Sequence, residues 1–405
     1  MKNSIAVLLL ALLASFGLPA CDAPTPTQKQ ELIPEADIMA FGQELQEALY
    51  DAPILAFQGR LQMDLLSERM VNRGLSRKML PTVRSQQSSI EQNWGKDIAI
   101  GLNPAMGYYY RPLNAYHDEE GNHLIMALYV EGGINYHNFL LVRDQGKIKI
   151  ADGFFFSVGE DYSTTMARLL KSPPRNYRDP KYKALQRFIE IDDLMAYGDY
   201  EEAYKLLWSV SDQLADQRIW HLKHVEIAAF KSEGAYDGAV NAFLTRFEGD
   251  IAAVIQGIDY YYGKNNLEKL EDCVALMQAY LGGNGEPIDP LLEQFVADVM
   301  LSLDDYEGAK SRLQQINKAF PDFDEGYYSL AYVYGLQQQW PQVAEIMRQA
   351  FEKRGIIITD FGLDYYPDFR FTQEYKRLKK EQEHIQRGGE VDSVSDERPL
   401  KKSPK

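Results

Sequence analysis

The sequence predicts an α+β N-terminal domain, helices plus a four-stranded antiparallel meander, followed by an all-α superhelix of about five helical hairpins. Two patterns carry that reading. The first is four apolar-rich runs, Tyr108–His117, His123–Glu131, Tyr136–Arg143 and Lys147–Phe156. They are separated by Asp118-Glu119-Glu120-Gly121-Asn122, by Gly132-Gly133 and by Asp144-Gln145-Gly146. Each separator is a hairpin turn signal, so consecutive runs should pair. The second pattern is a six-residue turn that returns five times between residues 184 and 353. Its clearest copies are Gly198-Asp199-Tyr200-Glu201-Glu202-Ala203, Gly234-Ala235-Tyr236-Asp237-Gly238-Ala239 and Asp304-Asp305-Tyr306-Glu307-Gly308-Ala309. Drifted copies run from Asn265 to Leu270 and from Gln338 to Val343. The last residue of the turn recurs at intervals of 36, 31, 39 and 34. A period near 34 marks stacked two-helix units rather than a single-core globule.

At 405 residues the chain is long enough for two domains, each with its own core. Its 59 acidic and 43 basic residues give a formal charge of −16. That balance argues against nucleic acid as a partner, because phosphate binding depends on Lys and Arg. Tyr is abundant, with 26 copies. Its ring and hydroxyl suit half-wet grooves and interfaces, and it also fills repeat cores.

Residues 1–20 form an export signal. Lys2 supplies the positive start, and the uncharged run from Ile5 to Leu18 is shorter than a spanning helix requires. Leu18-Pro19-Ala20-Cys21 resembles the bacterial lipobox, which implies cleavage before Cys21 and lipidation of its thiol. The family's sorting habit implies, from Asp22, retention at the inner membrane on its periplasmic face. Residues 21–35, rich in Pro, Thr and Gln, read as a flexible tether. The one other cysteine, Cys273, has no partner for an intramolecular disulfide and reads as a packed thiol.

The α+β domain is expected over residues 36–175. Ile38, Phe41, Leu45, Ala48 and Leu49 recur at threes and fours and predict a helix. Ile54, Phe57, Leu61, Leu65 and Met70 suggest a second, and Leu75 to Trp94 a third, interrupted at Pro81. A helix from about Ser163 to Leu170 follows the strands, and Ser172-Pro173-Pro174 makes a stiff linker. A curved meander around a helix can leave a pocket at its mouth, as in cystatin-like and ketosteroid-isomerase-like cones. The pocket candidates are Tyr109, His117, His123, Tyr136, His137 and Asp152. His137 with Asp152 would make a base and its orienting carboxylate. His117 and His123 flank one turn and could share a metal. Neither spacing is a known catalytic signature, and no HExxH, nucleophile elbow or phosphate loop accompanies them, so no catalytic residue, metal or cofactor is expected.

The repeats are expected over residues 176–378. Tyr327, Leu330, Ala331 and Tyr334 on a first helix, then Val343, Met347 and Ala350 on a second, resemble the tetratricopeptide repeat family. The fourth unit matches through Val296, Ala297, Ala309, Leu313 and Pro321, and the earlier units through Ala203/Leu207, Ala239/Phe243 and Leu270/Val274. The motif places small residues where helices cross closely and large ones where they interlock. The resemblance implies a concave groove lined by Gln294, Asp298, Leu301, Tyr328 and Tyr332, with His221 and His224 at matching positions of the second unit. These two histidines lie one helical turn apart, without a carboxylate or thiol companion at helical spacing. A long loop is expected at Gly282–Pro287, a polar cap over Thr372–Gln386 and a disordered tail over 388–405.

Together these features lead to the expectation of a lipid-anchored scaffold in the bacterial envelope that binds a protein or peptide in the repeat groove. The alternative is a ligand-binding or hydrolytic lipoprotein with its pocket in the α+β domain. Exposed aromatics would also suit peptidoglycan.

Overall fold

The structure, a computed structural model, describes residues 31–101, 109–130, 133–171, 180–215, 217–283 and 286–386. Cys21, the export signal, the Ser172-Pro173-Pro174 linker and the C-terminal tail lie outside them. The chain divides into two compact units, one ending at Asp289 and one beginning at Pro290. Among the described residues no helix is long and apolar enough to cross a membrane.

The first unit opens with α1 (Glu35–Asp51), α2 (Met63–Asn72), α3 (Leu80–Ser85) and α4 (Gln87–Gly101). Helix α1 buries Ile38, Phe41, Leu45 and Leu49, the stripe that its spacing predicts. The expected second helix is cut short. Gly59 takes φ 68°, outside the helical region, and α2 starts only at Met63. There Gln62 Oε1 caps the free amides of Asp64 and Leu65 at 2.9 and 3.2 Å. The expected third helix is a 3₁₀ turn (Arg77–Met79) followed by α3 and α4. Pro81 sits in the first turn of α3, where its missing amide costs no helical bond.

The sheet that follows is antiparallel and has five strands in chain order, not the expected four. They are β1 (Tyr109–His117), β2 (Asn122–Val130), β3 (Gly133–Asp144), β4 (Lys147–Phe155) and β5 (Glu160–Asp161). β5 escaped prediction because two residues carry no alternation; it exists through its pairing with Phe154 and Phe155. Register decides which side chains share a face, since opposed residues in an antiparallel pair point the same way. One face carries Tyr110, Leu124, Met126, Leu128, Phe139 and Leu141 into the core under the helices. Trp94 of α4 is central to that core, with the rings of Phe57, Phe139, Phe155 and Tyr162 at 4.8–5.8 Å. Gly95 lets α4 approach the chain at Pro53, whose carbonyl oxygen would lie 1.9 Å from any Cβ placed there. Ile33, at the end of the stretch read as tether, is buried and donates its amide to Asn122 Oδ1 at 2.9 Å. β1 forms one edge of the sheet: its Tyr110 amide is taken by the Tyr50 hydroxyl at 3.1 Å, and Pro112 has none to offer.

Eight helices follow in the same unit: α5 (Tyr162–Lys171), which joins the core through Ala167 and Tyr162, then α6 (Pro180–Tyr197), α7 (Tyr200–Ser209), α8 (Ser211–Leu214), α9 (Arg218–Lys231), α10 (Glu233–Arg246), α11 (Ile251–Gly263) and α12 (Leu267–Tyr280). Helix α11 packs against β3, Asn114 Nδ2 donates to the Leu281 carbonyl at 2.8 Å, and the hydroxyls of Tyr129 and Tyr136 donate to Asp289. The major helices pack successively, α6 on α7, α7 on α9, then α10, α11 and α12 in turn. A buried ion cluster lies between α6 and α9, where Lys223 Nζ donates to Asp192 at 2.6 Å and to Glu226 at 2.5 Å.

In the second unit α13 (Pro290–Ser302), α14 (Tyr306–Ala319), α15 (Asp324–Leu336) and α16 (Trp340–Arg354) also pack in sequence. Short 3₁₀ turns then lead to α17 (Gln373–Gln386), which packs on α16. Ala203, Leu207, Ala239, Phe243, Leu270 and Val274 are all buried, as are Ala309, Leu313, Val343, Met347 and Ala350.

Four of the five recurring turns share one backbone solution. Gly198, Asn265, Asp304 and Gln338 are all left-handed, at φ 82°, 52°, 61° and 55°. The next residue's amide reaches back five positions, Asp199 to Leu194, Asn266 to Tyr261, Asp305 to Met300 and Gln339 to Tyr334, each at 2.9 Å. This is the helix stop that satisfies otherwise orphaned carbonyls. The second hairpin differs. Ser232 is extended there, its side chain caps the Ala235 amide, and α10 has begun by Glu233.

Candidate functional site

Two places combine exposure with chemistry. The first lies on the sheet face opposite the core. Tyr116 and His123 are opposed across β1 and β2, and their rings stack at 4.7 Å with 9° between planes. His123 Nε2 donates to Asp118 Oδ1 at 2.9 Å, and Nδ1 lies 3.1 Å from Asn138 Oδ1. Asn138 Nδ2 in turn donates to the Tyr116 hydroxyl at 2.7 Å. β3 and β4 slip register between Leu140 and Leu141, and that irregularity sets Asp152 opposite Leu140 on this same face. Asp152 is buried and fully engaged. Its Oδ1 accepts from the amides of Gly153 and Ser163 at 2.9 and 3.1 Å, and its Oδ2 from Arg69 Nε at 2.7 Å.

These groups surround a cavity of about 180 Å³, whose walls include the rings of Tyr116 and Phe154 and the side chains of Arg69, Glu120 and Asp161. Arg69 Nη2 reaches Glu120 at 3.2 Å, and Arg73 Nη2 binds Asp161 Oδ2 at 2.9 Å. Burial, then the neighbouring charge of Asp152, pushes the Asp161 carboxyl up to about 6. A cavity this size has room for roughly six waters.

Of the six pocket candidates read from the sequence, His123 and Asp152 line this cavity. His117 lies on the other face, with Nε2 2.8 Å from the Ile33 carbonyl, so the sheet separates it from His123. His137 is also on the core face, 3.0 Å from the Tyr110 hydroxyl, and burial pushes it down to about 3. It opposes Phe155, and Asp152 opposes Leu140, so the two do not form a dyad. Tyr136 shares the cavity's face but is buried on Asp289. For Tyr109 only the backbone is described, paired with Tyr129. Arg69, Tyr116, Glu120, Phe154 and Asp161 were missed. A bulge and a two-residue strand bring them together, and neither leaves a mark in a periodicity.

The second place is in the unit that begins at Pro290. Gln294 on α13 donates to Asp298 and to Ser329 of α15, both at 2.8 Å, and its Oε1 is buried without a partner. Leu301 is half-buried against the core. Tyr328 packs edge-on against Phe361 with ring centroids 5.0 Å apart. Tyr332 and Leu336, one turn apart on α15, are 36 % and 47 % exposed. Tyr365, 75 % exposed, stands edge-on to Tyr332 at 6.0 Å.

His221 and His224, in the first unit, flank Trp220 with centroids at 5.0 and 5.2 Å. His221 Nε2 lies 2.8 Å from the Ala215 carbonyl, and burial, then His221, pushes His224 down to about 4. Burial likewise pushes the Cys273 thiol up to about 11, far from a reactive thiolate. Among the described residues no group of three or more His, Cys, Asp or Glu is placed to hold a metal ion.

Comparison with family models, with curated proteins and with solved structures gives no match.

Proposed function

We propose that the chain is a lipid-anchored scaffold of the bacterial envelope, tethered through Cys21, whose helices from α6 onward are tetratricopeptide-like repeats. The repeat reading is supported by the fourfold left-handed turn and by the burial of the small and large motif residues. On this reading the second unit takes a peptide or helix of a partner protein on the side formed by α13 and α15. One observation carries that choice: Tyr332, Leu336 and Tyr365 are large apolar side chains left in water, on the helix that Gln294 reaches through Ser329 and the turn edge-on to it. An exposed aromatic strip suits an apolar anchor residue of a partner segment. The test is selection of binding peptides from a displayed library against the purified full chain. Peptides should bind in the micromolar range and lose at least tenfold with Tyr332→Ala/Tyr365→Ala, both changes keeping the native circular dichroism. Peptides that bind that variant equally well would overturn the assignment.

A second reading, a ligand pocket in the α+β domain, is favoured by the cavity beside Asp152.

A further inference from the structure

The cavity on the sheet has a chemical sign. Four of its lining side chains are carboxylates, Asp118, Glu120, Asp152 and Asp161, against the single guanidinium of Arg69. That guanidinium is already committed to Asp152 and Glu120, and Arg73, the other cation nearby, is committed to Asp161. An incoming anion would therefore find no free cation among these groups, and it would meet uncompensated negative charge. Asp161 receives one hydrogen bond from the described residues, the one to Oδ2, which leaves Oδ1 available. Tyr116 accepts from Asn138, and Phe154 adds a second aromatic wall. Carboxylates beside aromatic rings in a space of this size are the setting in which a compact organic cation is held, by ion pairing at its head and by ring faces along its carbons.

We propose that this cavity binds a small organic ammonium ion, its charge met by Asp161 and Glu120 and its carbons packed against Tyr116 and Phe154. The proposal rests on the second reading above and is independent of the scaffold. The elevated carboxyl of Asp161 agrees with it, because it is held up by burial and by the Asp152 charge, both of which a bound cation would offset.

The experiment is calorimetric titration of the full chain at pH 7.5 with 1,4-diaminobutane and with choline, and with 1,4-butanediol as an uncharged analogue. One of the two cations should bind, the diol should not, and raising the salt should weaken the binding. Asp161→Asn should weaken it at least tenfold. Glu120→Gln, at a 60 % exposed side chain, should weaken it severalfold. Binding of the diol as tight as that of the cations would overturn the ammonium assignment and leave a pocket standing. Silence from all three probes would overturn both.

Discussion

The Tyr136 hydroxyl donates to Asp289 Oδ2 at 2.7 Å, joining β3 to a residue 153 positions further along the chain. Tyr129 donates to the other oxygen at 2.8 Å, and Arg111 stands 3.7 Å away. Asp289 is fully buried, and the two phenols and the guanidinium help to make its charge tolerable there. Burial, then the Asp289 charge, pushes both phenols well above their ordinary range. Asp289→Ala would remove the acceptor of two buried hydroxyls and the carboxylate nearest Arg111. It should lower stability by about 3 kcal/mol in urea unfolding. Tyr136→Phe, which removes one donor and leaves Tyr129 in place, should cost about 1–2 kcal/mol.

A pH effect follows from Asp161. Its carboxyl is raised from 3.8 to about 6 by burial and by Asp152, with Arg69 and Arg73 opposing and Glu120 adding to the rise. The folded chain thus holds this proton more tightly than the unfolded chain. The resulting stability is fully present below pH 4 and is lost as pH rises through 6. Asp161→Asn removes the dependence. Between pH 4 and pH 7 its stability should improve relative to the parent by on the order of 2 kcal/mol, the Arg73 contact being already contained in that shift. Paired unfolding curves at the two pH values measure it; a constant difference would contradict the assignment.

The recurring turn gives a graded prediction. Gln338 holds φ 55° with a side chain that disfavours it, and at Gly198, φ 82°, glycine carries no such penalty. Gln338→Gly should raise stability by about 0.5–1 kcal/mol, and Gly198→Ala should lower it by about 1 kcal/mol. Gly234→Ala, in the hairpin that stops differently, should be neutral or slightly stabilising, because no atom lies within 4 Å of the added Cβ. Thermal melts of the three variants distinguish these signs.

Lys223 is 2 % exposed between Asp192 and Glu226, and burial pushes both carboxyls upward despite its charge. Lys223→Met would leave two buried carboxylates facing each other. The expected loss is about 3–5 kcal/mol. Converting all three together, Lys223→Met with Asp192→Leu and Glu226→Leu, should recover most of it, since apolar packing replaces the whole cluster. Unfolding midpoints of the single and the triple variant, set against the parent, check both.

Much of the fold was legible because it is periodic. Four of the strands lie within a few residues of their expected ends, since alternation and turn residues are local signals. The buried faces of the later helices were readable from the same spacing that packs them. The breaks were less visible. Gly59 ends one helical pattern by backbone sign alone, and the Gln62 amide then donates to Ile150 of β4 while the Ile150 amide donates to Arg60, a partner no local window contains. The cavity was half legible. His123 and Asp152 stood out as residue types, but which face each takes depends on strand register, and the slip at Leu140 is invisible in composition. Asp289 gave no signal at all, because its role exists only where three sheet residues converge on it.

The outer margin of β1 has a consequence for how copies of this protein coexist. A strand recruits its like through outward amides. Here one such group is occupied by a phenol from α1, and the next is abolished by an imino acid, just before the strand bulges between Pro112 and Asn114. Neighbouring molecules crowded together therefore meet a margin that offers little for their own strands to grasp. Fibrous growth from this side is suppressed by covalent chemistry as well as by folding.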